Sequence, residues 1–371
     1  ARRFSIFMDI IAGTDFLVTA LLNVAIDPQG VFETGVAGKP ANPNFRYQRF
    51  REYQRDASRV DGLLFASSRG AAFDAKDVAA RIGVSHLQNL FVPAGSLADY
   101  LPFLEYVAAD KASRGERIKK VVLMLDADLF GTPAWTNANI DGFLPPGVGG
   151  TEPIRFWWRY LTAVQFKVWR SEIRNAWSQR RTPGISADSS GRPEFGNRDV
   201  AMLIEDRLPV VRPGISEKSE TPYRTFHRPE IPLMLAPLSE DVAPVSGASG
   251  QSAERRAAYR PQLDRRLAEL ARFVAICRDR SIQLTVAINP MTRSILDSYD
   301  PNELSGIIDR INRTTPIQDF TAPATVKEGA DFWRDSSHYV PAVAVALIDT
   351  MFGRGGGDLS EPGRLRPLAP R

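Results

Sequence analysis

The chain has 371 residues, enough to bury a sizeable core, and its 43% hydrophobic and 24% charged residues are typical of a globular protein, which excludes wholesale disorder. The formal net charge of +4 is spread along the chain, with arginines alternating with acidic residues at helical spacing, which argues against nucleic-acid binding. A single cysteine, Cys277, excludes an intrachain disulfide, and no Gly-rich phosphate loop or Cys/His cluster predicts a cofactor or metal.

The N-terminal apolar stretch, Phe4 to Ile26, follows two arginines and has the length of a signal anchor or signal-peptide core. Asp9 and Asp15 interrupt it, and each would cost roughly a few kcal/mol near a bilayer centre. A soluble amphipathic helix is therefore the competing interpretation. Residues 27–59 are predicted to form a Pro/Gly/Asn-rich linker followed by a short helix, Phe50 to Arg59.

Short apolar runs separated by helical stretches predict an α/β fold with a parallel sheet built from βαβ units. The predicted strands are Gly62–Ala66, His86–Phe91, Val121–Leu125 and Gln283–Ile288. Ligands bind outside the carboxyl ends of such strands. The predicted active site therefore lies at the edge of the sheet where residues follow those ends, namely Ser68, Gly95 and Asp126.

The middle of the chain, residues 133–252, is predicted to be a helical, loop-rich insertion into the domain formed by 60–132 and 253–353. Pro153 to Arg181 carries aromatic residues at helical spacing, which favours core or lid packing, with a glycan-facing lid as the alternative. The segment from Thr182 to about Ser252 is rich in Pro, Gly and Ser, which predicts long loops or a partly disordered insertion. A helix is predicted from Ala253 to Asp279, and residues 354–371 are predicted to be a flexible tail.

Two distant segments carry residues for nucleophilic catalysis. Ser67 and Ser68 follow the first predicted strand, and Asp335 precedes His338 by three residues. A serine hydroxyl needs an imidazole to take its proton, and the imidazole needs a carboxylate to fix its tautomer, so one turn supplies both base and orienting acid. The alternatives are a polar turn after the strand, and an N-cap for the helix predicted from Pro341 to Phe352.

In this order and spacing the two segments resemble the SGNH (GDSL-like) hydrolase superfamily, in particular its envelope-associated branch, which includes the teichoic-acid D-alanyl transfer protein and the alginate O-acetylation proteins. The family block Gly-Asp-Ser or Gly-Ser-Ser matches Ala66-Ser67-Ser68, with alanine in place of glycine. The resemblance places the nucleophile at Ser68, implies a three-layer, doubly wound parallel sheet, and assigns His338 as base and Asp335 as its orienting acid.

The family's second block, a glycine whose backbone N–H helps to hold the oxyanion, resembles the segment ending at Gly95, so the predicted oxyanion donors are the N–H groups of Ser68 and Gly95. The third block normally supplies an asparagine, and this chain has none at that position. Losing one donor of this kind typically costs on the order of a hundredfold in rate. The candidate substrate contacts form a further group: Arg69, Asp126, Asp128 and Asn289.

The resemblance implies a serine-dependent ester hydrolase or O-acyltransferase acting on O-acetyl groups of a cell-envelope or exported polysaccharide, or on another acylated small molecule. It also implies a membrane-bound acyl donor as partner. Because the branch usually carries an anchor, and Asp27-Pro28 ends the apolar stretch, we interpret residues 1–26 as an anchor facing the periplasm or exterior; a cytoplasmic protein is the alternative. The rival function is a non-catalytic glycan-binding or assembly protein, favoured by Ala66 and the missing asparagine.

Overall fold

The structure, a computed structural model, describes residues 2–34, 43–127, 130, 143–163, 169–170, 173–174, 253–296, 299, 301–321, 326, 332–333, 337–352 and 364–366. The chain divides into two units. One unit comprises residues 1–54 and 135–193, and the other comprises residues 55–134 and 194–371.

The described helices and strands alternate along most of the chain. In chain order they are α1 (Arg2–Ile26), α2 (Phe45–Asp56), β1 (Gly62–Ala66), a 3-10 helix (Ser68–Ala72), α3 (Ala75–Ile82), β2 (Leu87–Phe91), α4 (Leu97–Ser113), β3 (Lys120–Leu125), α5 (Pro153–Thr162), α6 (Ala253–Asp279), β4 (Gln283–Ile288), α7 (Arg293–Leu296), α8 (Pro301–Thr314), β5 (Ile317–Asp319), α9 (Pro341–Met351) and β6 (Arg364–Arg366).

The first unit is built on aromatic packing. Its buried cluster combines residues of the N-terminal segment with residues of α5 and the loop before it: Val31, Tyr47, Phe143, Phe156 and Tyr160. The Asn44 amide donates to the Tyr160 hydroxyl (2.6 Å) and to the Phe143 carbonyl (3.0 Å), which satisfies polar groups inside this cluster. Core packing, predicted for the aromatic helix, is therefore found at Phe156 and Tyr160.

The segment after α1, predicted as a linker, makes specific contacts. The Asp27 carboxylate accepts the N–H groups of Val31 (2.8 Å) and Phe32 (3.1 Å), and the Gln29 carbonyl accepts the Asn44 N–H (2.8 Å). Burial raises the pKa of Asp27 even though these N–H donors act to lower it. Among the described residues, no helix is both long and apolar enough to cross a membrane.

The second unit contains the sheet, in the order β2-β1-β3-β4-β5-β6. Strands β1 to β5 are parallel, which confirms the predicted α/β class, and the order of these five is one of the doubly wound orders. The sequence did not predict β5 or β6. Residues Arg364–Arg366 pair antiparallel with β5, so this part of the predicted flexible tail is an edge strand.

Helices of the second unit form two groups. Helices α3 and α9 contact each other and are joined by an ion pair between Arg81 and Asp349 (2.8 Å), whereas α6 contacts both α4 and α8. Phe65 of β1 packs against Tyr100 of α4 and Phe273 of α6, with ring centroids 5.7 and 5.4 Å apart. Every residue of β1 is buried, as expected for a central strand covered on both faces.

Candidate active site

Ser68 and His338 meet at the carboxyl edge of the sheet. The His338 Nε2 atom lies 2.7 Å from the Ser68 Oγ atom, although the two residues are 270 positions apart in the chain. Both side chains are half-buried, so the pair is held by the protein yet open to a ligand. In the tautomer protonated at Nδ1, the ring accepts the hydroxyl hydrogen at Nε2, which is the geometry of a nucleophile and its general base.

The 3-10 helix that begins at Ser68 is fixed by the residues around it. Ser67 is its N-cap, and the Ser67 Oγ accepts the Arg69 N–H (3.4 Å). Gly70 packs so closely that an added Cβ would lie 2.5 Å from the Phe91 Cβ and 2.7 Å from the Ala66 Cβ. A side chain at this position would push the turn, and Ser68 with it, away from β1 and β2.

Asn89 of β2 secures the other end of this turn. Its side-chain amide donates to the carbonyls of Gly70 (2.9 Å) and Phe73 (3.0 Å) and is buried. Sequence reasoning missed Asn89, although a polar residue within an otherwise apolar strand is a signal that its side chain has a specific partner.

His338 lies on a loop that is closed at its base. Trp333 and Tyr339 form an antiparallel bridge, and the Val340 N–H donates to the Phe332 carbonyl (2.9 Å). The rings of Trp333 and Tyr339 also meet edge to face, with centroids 6.1 Å apart. These contacts fix the backbone beside His338, and they do not involve the contact between the His338 ring and Ser68.

Arg69 joins the serine turn to the histidine loop. Its Nε and Nη2 atoms donate to the carbonyl (2.9 Å) and to the Oγ (3.0 Å) of Ser337, the neighbour of His338. Its Nη1 atom forms an ion pair with Asp126, just past β3, and the two side chains are only 3% and 2% exposed. Arg69 therefore links the serine turn, the histidine loop and Asp126, and its predicted role as a substrate contact stays a prediction.

Asp126 also joins this cluster to β4. The Asn289 amide donates to the Asp126 Oδ1 (2.8 Å), and the Tyr339 hydroxyl donates to the Asn289 Oδ1 (2.8 Å). Asp126 and Asn289 are buried and bind protein groups in this conformation, and their role as substrate contacts stays a prediction. Burial and the nearby Asp126 charge raise the pKa of Tyr339 well above its usual value, which keeps the phenol a donor.

The network thus clamps both neighbours of His338. Ser337 is held through Arg69 and Tyr339 through Asn289, and the two branches meet at Asp126.

Comparison with family models and with curated proteins finds no match to this chain.

The predicted oxyanion donors differ in their availability. Ser68 is the first residue of the 3-10 helix, so its N–H has no acceptor within that helix. The Gly95 N–H instead donates to the Val92 carbonyl (2.8 Å), across a turn with Pro93 at its second position and Ala94 at a φ of 52°. The Gly95 N–H is therefore engaged within this turn, and its predicted role as an oxyanion donor stays a prediction.

Gly95 has a packing reason to be glycine. A Cβ there would lie 2.7 Å from the Val92 carbonyl oxygen and 3.0 Å from an atom of the Tyr100 ring. The close approach is therefore required by the turn itself, without any ligand.

Two predicted site residues, Asp335 and Asp128, lie outside the described residues. Within the described ranges, no group of three or more His, Cys, Asp or Glu side chains is placed to hold a metal ion.

Proposed function

We propose that the protein is a serine-dependent ester hydrolase or O-acyltransferase that works through an acyl-enzyme. The observation that carries this proposal is the 2.7 Å contact between the His338 Nε2 and the Ser68 Oγ, at the edge of a parallel sheet where α/β proteins bind their ligands. The resemblance of Ala66-Ser67-Ser68 and of the His338 segment to the SGNH hydrolases supports the same chemistry.

The reaction follows from the pair. The Ser68 oxygen attacks the acyl carbonyl while its proton passes to the His338 Nε2, and the bond from carbon to the leaving alkoxide breaks as His338 returns that proton to the alkoxide. Water or a hydroxyl of a second substrate then attacks the acyl-serine, with His338 again taking and returning a proton. Water gives an esterase, and a sugar hydroxyl gives an acyltransferase.

The substrate class follows from the family resemblance. We propose O-acetyl groups on a cell-envelope or exported polysaccharide, with a membrane-bound acyl donor if the protein is a transferase. Asp335 is proposed as the acid that orients His338.

Acetate release from an aryl acetate tests this function. We expect Ser68→Ala and His338→Ala each to lower kcat/KM by at least about a thousandfold. Ser67→Ala is the matched control: it removes the N-cap next to the proposed nucleophile and should retain most of the activity. Equal rates for wild type and Ser68→Ala would overturn the assignment, and loss of activity on Ser67→Ala alone would move the nucleophile by one residue.

A second candidate is a non-catalytic glycan-binding or assembly protein. The observation that favours it is the Gly95 N–H, which is engaged with Val92 and so leaves the oxyanion site short of a donor. This candidate predicts polysaccharide binding that is unchanged by Ser68→Ala or His338→Ala, together with no esterase activity in any variant.

A further inference from the structure

The large apolar side chains that are exposed to solvent are confined to the first unit. Among the described residues they are Phe16, Leu17, Val18, Leu21, Leu22, Ile154, Trp158 and Ile173, and all of them belong to residues 1–54 or 135–193. Single exposed apolar residues are ordinary on a protein surface, but a contiguous group of them marks a surface that another apolar body covers.

The outward side of α1 supplies the larger part of this group. Leu17 and Leu21, which are 57% and 60% exposed, form one row at a spacing of four residues, and Val18 and Leu22 form the row beside it. Asp15, also exposed, lies at the N-terminal border of these rows. The solvent-facing side of α1 is therefore apolar over its last turns.

Helix α5 supplies the rest. Ile154 and Trp158 are four residues apart and are 78% and 58% exposed. The Trp158 ring stacks on the Phe16 ring of α1, with centroids 5.3 Å apart, so the exposed sides of the two helices are adjacent. We call these residues together the apolar face: Phe16, Leu17, Val18, Leu21, Leu22, Ile154 and Trp158.

The buried side of α1 fixes the two helices to each other. The Asn23 amide, 1% exposed, donates to the carbonyls of Leu161 (3.2 Å) and Ala163 (2.9 Å) at the end of α5. The Asn23 side-chain oxygen accepts the indole N–H of Trp169 (2.9 Å). The apolar face is therefore presented by a helix pair that is held by buried hydrogen bonds.

The charge around α5 indicates what covers the apolar face. Residues 153–181 carry seven Lys or Arg residues and a single acidic one, Glu172, in a chain whose formal net charge is only +4. Arg155, next to Ile154, is exposed. Apolar residues and Trp beside a basic surface are typical of helices that lie in the interface of an anionic membrane. A second copy of this chain would bring the same positive charge to the contact, which disfavours self-association.

We propose that the apolar face binds an anionic phospholipid bilayer. Ile154 and Trp158 enter the boundary between headgroups and acyl chains, where the amphipathic indole of Trp is favoured, and Arg155 lies among the phosphates. This contact is distinct from the anchor predicted for residues 1–26, because α5 comes from a distant part of the chain. It goes beyond the proposed function and does not depend on it.

Nitroxide labels at two matched positions test the proposal. Ile154→Cys and Arg278→Cys are each made in the full chain carrying Cys277→Ala, and thermal melting checks that the fold is kept. The two positions are 78% and 75% exposed, one on α5 and one on α6 of the second unit. EPR measures the access of each label to oxygen, which concentrates in the bilayer, and to a water-soluble nickel chelate. Phosphatidylglycerol and phosphatidylcholine vesicles are compared.

With phosphatidylglycerol vesicles, we expect the label at position 154 to gain access to oxygen and to lose access to the nickel chelate. The label at position 278 should stay accessible to the chelate. The change at position 154 should be smaller with phosphatidylcholine. Adding Arg155→Gln should raise the phosphatidylglycerol concentration needed for half of the change about fivefold, because one basic residue at the membrane surface is removed.

Three results would overturn the proposal. In the first, the label at position 154 is no more accessible to oxygen than the label at position 278 when phosphatidylglycerol is present. In the second, the two lipids act equally. In the third, the label at position 154 shows spin–spin broadening and low access to both reagents, so that a second copy of the chain covers the apolar face. Ser68 and His338 take no part in these measurements, so failure of the proposed esterase would leave them unchanged.

Discussion

The ion pair between Arg69 and Asp126 gives the sharpest prediction about stability. Arg69→Met keeps an unbranched side chain of similar length but leaves the Asp126 carboxylate, 2% exposed, without its counter-charge. Breaking a buried pair in this way costs about 3–5 kcal/mol. Two further hydrogen bonds to Ser337 are lost with it, so we expect the upper part of that range.

Urea unfolding followed by tryptophan fluorescence measures this cost. Combining Arg69→Met with Asp126→Asn removes the unpaired Asp126 charge. The double variant should therefore have a free energy of unfolding about 2 kcal/mol or more above that of Arg69→Met alone. The matched control is Arg278→Met, which breaks an ion pair with Asp279 whose side chains are 75% and 65% exposed, and should change stability by less than about 0.5 kcal/mol. If Arg69→Met costs no more than this control, the buried network does not hold the site together.

The same variant distinguishes positioning from substrate contact. If Arg69 acts through Ser337 on His338, Arg69→Met should lower kcat by about a hundredfold with little change in KM, because the catalytic geometry alone is disturbed. A rise in KM with kcat unchanged would instead restore the role predicted from the sequence. Kinetics with an aryl acetate give both constants.

Three further predictions concern packing and ionisation. Gly70→Ala should destabilise the protein by about 1–3 kcal/mol and reduce activity, because the added Cβ would collide with the side chains of Phe91 and Ala66. Gly306→Ala is the control in a helix: a Cβ there has nothing within 4 Å, so the change should stabilise the protein by about 0.5–1 kcal/mol. Equal effects of the two changes in urea unfolding would contradict this prediction. Tyr339→Phe leaves the Asn289 oxygen unsatisfied and should cost about 1–3 kcal/mol below pH 10. Above pH 10 the folded protein keeps the Tyr339 proton, because the pKa is raised, while the unfolded chain loses it. The free energy of unfolding of the wild type should therefore fall above pH 10, and its difference from that of Tyr339→Phe should narrow. A difference that stays constant with pH would contradict the raised pKa. Burial raises the pKa of Cys277 to about 12, so the native thiol should resist a disulfide reagent at pH 8 and react fully once unfolded.

The sheet and the contact between Ser68 and His338 were predictable from local sequence patterns. Four apolar runs predicted four of the parallel strands with at most one residue of error at an end, because β1 and β3 are buried along nearly their whole length and β2 and β4 each end in buried apolar residues. Ser68 and His338 were predicted from motif order, and the structure places them in contact. The strand β5 was missed because it has only three residues, Ile317–Asp319, too few for a periodic signal.

The support of the site could not be predicted in the same way. Arg69, Asp126 and Asn289 each follow a different strand, and only their meeting in space shows that they bind one another. The hydrogen bond of Gly95 was predictable from the local sequence. Pro93 at the second position of a turn predicts the bond from the Gly95 N–H to the Val92 carbonyl.

Covalent labelling tests most directly whether Ser68 is the nucleophile. The full chain is treated with a fluorophosphonate, and the modified peptide is located by mass spectrometry. We expect one modified residue, Ser68, with labelling abolished in Ser68→Ala, strongly reduced in His338→Ala, and kept in Ser67→Ala. No labelling of the folded wild type, or labelling that persists in Ser68→Ala, would contradict it.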